Sequence, residues 1–516
     1  MRKNLLALSI AAMVGGLTAG AANAAVITAG ATPAALEVSP IGVGNTLLVP
    51  YFSTQGTNKT LLNIVNTDTV NGKAVKLRYR GAANSDDLFD ITIYLSPGDM
   101  WTAEVAADAD GFSRLVTNDN SCTLPSAADI KAANNGRFKT NRVQNGDKAQ
   151  TREGYIEILN TANIPPQRIA NGDTTPTANP LFTAIKHVGN TGVAPCTQSV
   201  MDLQENDINA TALDANNYVH RGYQNPTGGL LANWVLVNVT GFASHSGEAV
   251  AIRPVGGNPA NIVWFPQTTD APTAGAVNTL TADPLLTSAG FAGSVANYDF
   301  PDLSTPYASA VTADAPAAQA NALSAAIATR SVSNEYLTDA GFSTDWVFSM
   351  PTRRYHVALD YAATAANRLL FRDNAAAGDE PAAGTAGATV GTNYFNRTNT
   401  SLNAAGTQAC VTPGSGTRGY GREEETQSTF VISPDSAVKL CGETSVLAFN
   451  AAGADSVLAA AIARNDIKTN YKEGWMRINT NNGVRGTAIG LPVIGYAAAK
   501  VNGANLGGTW EHRYDR

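Results

Sequence analysis

Between Leu47 and Val105 apolar and polar residues alternate with a period of two, and this pattern limits the fold more than anything else in the chain. Across residues 74–80 Val75, Leu77 and Tyr79 interleave with Lys76, Arg78 and Arg80. Successive side chains of a strand point to opposite faces, so the pattern predicts a half-buried strand with its three cations in solvent. Residues 61–65 and 89–95 repeat it. Asn71-Gly72, Asn84-Ser85-Asp86-Asp87 and Ser96-Pro97-Gly98 supply the turns between them. Strand-like runs recur at 155–159, 234–239, 249–252, 345–350, 355–361, 429–433, 446–449 and 475–478. The expected class is mainly β: antiparallel β-sandwich units of immunoglobulin-like type with long loops and one or two short helices. The helix candidates are residues 315–329, where Ala dominates and loses little side-chain freedom, and residues 455–463.

The N-terminus adds an address. Arg2 and Lys3 precede an apolar run over 5–17, and Ala22-Asn23-Ala24 offers the small residues of a cleavage site. Residues 1–24 therefore read as a signal peptide. No later stretch approaches the roughly 20 apolar residues of a membrane-spanning helix, so no transmembrane anchor is expected. The remainder is too long for one growing hydrophobic core. It divides into a β-sandwich region at 25–267, an Ala/Thr/Pro-rich connection with a short helix at 268–330, and a β-rich region at 331–516. Charged residues make up only 15% of the chain, and the net charge is -7. This balance disfavours nucleic acid, whose binding rests on Lys and Arg, while leaving divalent cations attractive.

Four cysteines in an oxidising compartment suggest two disulfides, for which three pairings exist. Proximity favours Cys122 with Cys196 and Cys410 with Cys441. Reaction motifs are sparse. A literal G-x-G-x-x-G spans Gly414, Gly416 and Gly419, but it lacks the strand-turn-helix setting that a dinucleotide needs and reads as a loop. Neither G-x-S-x-G nor H-E-x-x-H occurs, and His356 stands without a partner that the sequence can place. Carboxylates such as Glu153, Glu157, Glu423 and Glu425 are available for glycoside chemistry, with nothing to select a pair. No cofactor is expected; calcium is the least implausible metal, for which Asp108 and Asp110, with Asp86, Asp87 and Asp90 in a nearby turn, offer hard oxygen ligands. The EF-hand pattern is incomplete, and plain acidic turns explain these residues as well. Trp101, Trp234, Trp264, Trp346, Trp475 and Trp510 are spread along the chain. A carbohydrate-binding face would need several on one exposed side.

Three blocks near the start, residues 47–52, 60–67 and 89–101, resemble a family of exported proteobacterial proteins often labelled cell surface protein. Thr344-Asp345-Trp346-Val347-Phe348-Ser349-Met350-Pro351-Thr352, Arg422-Glu423-Glu424 and Gly490-Leu491-Pro492-Val493-Ile494-Gly495-Tyr496 continue the resemblance in order. It implies a secreted or surface-associated β protein and assigns no catalytic residue. The expectation is a noncatalytic structural protein of the bacterial cell exterior, self-assembling in the manner of a surface layer. Its partners would be copies of itself or other envelope components, and the periplasm is an alternative location. Two further readings are an extracellular binding or adhesion module for polysaccharide or a surface protein, and, ranked lowest, a secreted hydrolase. A membrane barrel fits poorly, because regular spans and aromatic girdles are missing from the pattern.

Overall fold

The structure is a computed structural model that describes residues 26–27, 35–83, 85–132, 136–140, 143, 146–170, 172–189, 191–206, 220–241, 243–256, 262–263, 298–299, 322–338, 341–352, 359–360, 410–411, 418–421, 440–449, 456–467, 472–480, 491–501 and 506–516. Strands dominate these residues, and none of the sheets closes into a barrel. A seven-stranded sheet runs in the order Leu36–Val38, Val250–Pro254, Thr46–Ser53, Glu153–Ile164, Gly72–Gly81, Asp87–Leu95, Cys122–Leu124. Facing it is a five-stranded sheet in the order Ala243–Glu248, Leu230–Asn238, Asn58–Asn66, Met100–Ala107, Ser113–Val116. The alternation read from the sequence sets this packing. Leu62 and Ile64 enter the core beside Val75, Leu77, Tyr79, Ile91 and Ile93, while Leu61 and Asn63 stay half-buried outside. The sandwich expectation is met, with sheets larger than those of an immunoglobulin unit.

A second sandwich follows. Its five-stranded sheet runs Arg464–Ile467, Thr444–Phe449, Phe342–Ser349, Ile494–Val501, Leu506–Glu511, and its four-stranded sheet runs Arg418–Gly421, Glu473–Asn479, Ser331–Leu337, Arg513–Asp515. Trp346, Phe348, Leu447 and Phe449 pack on Val332, Tyr336, Met476 and Ile478 between them. The opposite face of the same five-stranded sheet joins the first core through Val347, Val446, Tyr496 and Ala498. Trp234 and Tyr496 bring their rings to 4.6 Å across this joint. The edge strands Ala243–Glu248 and Leu506–Glu511 also meet, through His245 Nδ1 with Gly508 O at 3.3 Å and Ser246 N–H donating to Thr509 Oγ1 at 3.3 Å. The two halves are therefore one packed body.

Two expectations are corrected. Strand Gly72–Gly81 is buried on both faces, so Lys76, Arg78 and Arg80 are not in solvent. Part of their face lies under a layer that local periodicity does not reveal. There Ala74 and Tyr94 pack on Leu181, Ile185 and Met201, from helices Pro180–Ile185 and Gln198–Asn206. The second correction concerns residues 456–463, which form turns and bends instead of a helix. Two buried carboxylates capture the backbone N–H groups that a helix would use. Asp345 accepts from Ser456 Oγ and Leu458 N, at 2.6 and 3.0 Å. Glu153 accepts from the N–H groups of Ala461, Ile462 and Ala463, at 2.7, 3.0 and 3.1 Å. Ala459 between them has φ 52°, outside the helical region. Of the other helix candidate, residues 322–327 are helical and 315–321 lie outside the described residues.

Candidate functional site

A groove of about 650 Å³ lies at the open end of the second sandwich. Strand registers build its floor in rows: Trp346, Ala497 and Trp510; then Thr344, Ala499 and Gly508; then Phe342, Val501 and Leu506. Period-two geometry puts all of these side chains on one face of the sheet. At the first strand that face is covered, with Trp346 buried and its Nε1–H donating to Glu335 O at 3.0 Å. Thr344 stitches the two sheets, its Oγ1 accepting from Leu337 N at 3.0 Å and donating to Leu337 O at 2.8 Å. Beyond it the four-stranded sheet no longer covers the floor.

Small residues make the floor concave. Ala499 and Gly508 sit between the bulk of Trp510 on one side and Phe342 and Leu506 on the other. A Cβ on Gly508 would lie 3.4 Å from the Trp510 ring, so the indole packs in contact with this stretch of the strand. Trp510 stays 51% exposed there. Trp475 forms the rim. It alternates with the core residues Met476 and Ile478, which places it on the outer face of the four-stranded sheet at 43% exposure. Glu335 lies opposite it in register, and Glu473 opposite Leu337. The lining is mainly apolar, with these two carboxylates at its edge; the Lys500 ammonium lies on the other face of its strand, near Gly241.

A smaller polar hollow of about 360 Å³ is lined by Asp99, Asp119 and His187. Ser96 Oγ lies 2.9 Å from His187 Nδ1, and Asp99 Oδ2 lies 3.4 Å from that same nitrogen. A proton relay through imidazole uses its two opposite nitrogens, so this trio does not make one. Asp119 is held as a turn former by the N–H groups of Thr102 and Ser121.

The residues singled out in the sequence fall as follows. Asp108 and Asp110 both bind the guanidinium of Arg137, and Asp108 also accepts from the N–H groups of Asp110 and Phe112. Burial works to raise the Asp108 carboxyl, but the Phe112 N–H and Arg137 outweigh it and hold it below the usual range. Asp86 and Asp87 are buried, Asp87 beside Lys76 and Arg78 of the neighbouring strand, and Asp90 binds Lys76 at 2.7 Å. Among the described residues, no group of three or more His, Cys, Asp or Glu is arranged to hold a metal ion. Glu157 pairs with Arg80 at 3.1 Å, while Glu153 anchors the loop at 461–463. Cys122 and Cys196 form a disulfide with a Cα–Cα distance of 5.4 Å. Backbone register sets Cys410 opposite Cys441, whose side chains lie outside the described residues. Of the glycine motif, Arg418 and Gly419 begin an antiparallel strand; Gly414 and Gly416 lie outside the described residues, as do His356, Trp264, Glu423 and Glu425.

Three tryptophans, Trp101, Trp234 and Trp346, are core residues, and the structure brings Trp475 and Trp510 to one groove. Sequence reasoning missed that pairing. The available signal was glycine beside each exposed indole, in Gly474-Trp475 and in Gly507-Gly508-Thr509-Trp510. No family model matches the chain, and neither a curated protein nor a solved structure does.

Proposed function

We propose that this chain is a noncatalytic exported protein of the bacterial cell exterior that binds an extracellular ligand, polysaccharide or surface protein, over the aromatic groove. The observation that carries this reading is the exposure of Trp475 and Trp510 around one apolar, concave floor. Aromatic side chains are normally buried for their area, and an open cluster of them marks a contact surface. Export is supported by the N-terminal leader pattern, by the resemblance to exported surface proteins, and by the Cys122–Cys196 bridge, which suits an oxidising compartment. Binding ranks above layer formation because Trp475 and Trp510 offer it a contact surface, whereas two of the sheet edges, Ala243–Glu248 and Leu506–Glu511, already meet each other within the chain. A lateral assembly through sheet edges would need such edges free.

The test is sedimentation of the purified protein with isolated cell envelopes. Wild-type protein is expected to co-sediment, and a Trp475→Ala/Trp510→Ala variant with unchanged circular dichroism to lose about tenfold or more in apparent affinity, as removal of aromatic anchors does at other interfaces. Equal binding by the variant overturns the groove as the binding face.

A further inference from the structure

We infer that the groove takes a neutral polysaccharide, gripped along the interior of the chain; this rests on the groove being the binding face. Three features of the floor point to it. First, the Trp510 indole packs against Gly508, where a Cβ would meet its six-membered ring at 3.4 Å, and it remains 51% exposed. A pyranose presents an apolar face of C–H groups, and that face stacks on a flat aromatic ring. A peptide side chain would instead need a pocket that encloses it. Second, the polar groups at the edge are carboxylates, Glu335 and Glu473, beside the apolar rings. A carboxylate accepts hydrogen bonds only, and sugar hydroxyls donate them in number. Glu335 has Arg513 at 3.6 Å, a pair exposed on both sides that leaves the carboxylate in reach of solvent and ligand. Third, acidic side chains outnumber basic ones at the edge, Glu335 and Glu473 against Arg513. The groove edge is acidic and the chain carries a net charge of -7, so uronate or sulfated chains are repelled. Because both indoles remain open to solvent, the site grips a chain that runs past it and does not enclose a chain end.

The experiment is affinity electrophoresis of the full chain in gels containing a soluble neutral β-glucan, a mannan, alginate or heparin, each at matched ionic strength. Retardation by at least one neutral polysaccharide and by neither polyanion is expected. Trp510→Ala should weaken that retardation by about tenfold, while Trp510→Tyr, which keeps a stacking face, should stay within about threefold of wild type. Gly508→Val keeps the indole but its methyl groups push the ring off the strand, and should weaken binding with little effect on thermal stability. Stronger retardation by alginate or heparin than by any neutral chain overturns the inference. Envelope binding that needs Trp475 and Trp510, but vanishes when the envelopes are treated with protease and is not competed by neutral polysaccharide, also overturns it and leaves the groove standing as a protein-binding face. Envelope binding indifferent to both tryptophans removes the groove itself.

Discussion

Lys76 and Arg80 show how buried charge fixes the first sandwich. Lys76 lies opposite Thr92 and reaches diagonally to Asp90, while Arg80 lies opposite Tyr155 and reaches diagonally to Glu157. A slip of one residue would turn these cations into the apolar core, so the ion pairs lock the register of three adjacent strands. Burial lowers the Lys76 ammonium to about 8, against the opposing pull of Asp90. Two other buried groups govern the response to acid. Burial raises the Asp345 carboxyl from 3.8 to about 6 and lowers the His512 imidazole from 6.5 to about 3. Neutral His512 suits its partners: Nε2–H donates to Val347 O at 3.0 Å, and Nδ1 accepts from Asn334 Nδ2 at 2.9 Å. Between about pH 4 and 6 the folded state holds the extra proton at Asp345, so that group's contribution to stability falls as pH rises. At His512 the unfolded state holds the extra proton, and its contribution rises with pH. Each slope reaches at most about 1.4 kcal/mol per pH unit, and the two oppose each other. Asp345→Asn keeps an acceptor for Ser456 and Leu458 but removes one slope. Urea denaturation should show the variant gaining on wild type by about 2 kcal/mol between pH 4 and 6, and parallel curves would refute the assignment.

At the scale of elements, the strands were legible because alternation and turn residues are local signals, and residues 58–66, 87–95 and 230–238 follow them closely. What was illegible depended on distant partners. Nothing in residues 74–80 reveals a layer over the charged face, and nothing in residues 455–463 announces that Glu153 and Asp345 will take their N–H groups. Alanine favoured a helix there, and tertiary hydrogen bonds overrode it. The two tryptophans of the groove lie 35 positions apart (510 minus 475) on strands of different sheets, beyond any local pattern. Helices Pro180–Ile185 and Gln198–Asn206 escaped notice because they are short. They depend on Cys122–Cys196, which ties the layer to the sheet edge at Cys122–Leu124. The bridge spans a sequence separation of 74, for which the chain-entropy model gives about 4.5 kcal/mol. Replacing both cysteines by serine should lower stability by about 2 to 4 kcal/mol and speed proteolytic cleavage at 172–206 more than in either sandwich. Uniform acceleration across the chain would argue that the layer is held by packing alone.

The whole molecule behaves as one unit if the shared core governs it. Val347, Val446 and Tyr496 complete a core that begins with Leu47, Val49 and Leu62. Backbone bonds cross the joint as well, from Glu443 N to Ala82 O at 2.8 Å and from Thr444 N to Ala82 O at 3.1 Å. Gly442 beside them has φ +68°, and a Cβ there would sit 2.4 Å from Ala82 O, so only glycine brings the strands this close. Thermal unfolding followed by tryptophan fluorescence and by far-ultraviolet dichroism should therefore give coincident midpoints. A fragment of residues 25–267 should bind a hydrophobic dye and melt without cooperativity. Two separate transitions, or a fragment that folds cooperatively, would contradict the shared core.

The seam between the edge strands bears on how the protein carries tension. Strand Leu506–Glu511 is laddered to Ile494–Val501 over six residue pairs, but it touches Ala243–Glu248 through single side-chain bonds. A pull applied at Trp510 is therefore taken up along the C-terminal ladder, in shear, and the seam beside it parts first. Mechanical load on the gripping face would then open this seam alone, while the shared core keeps the two sandwiches together.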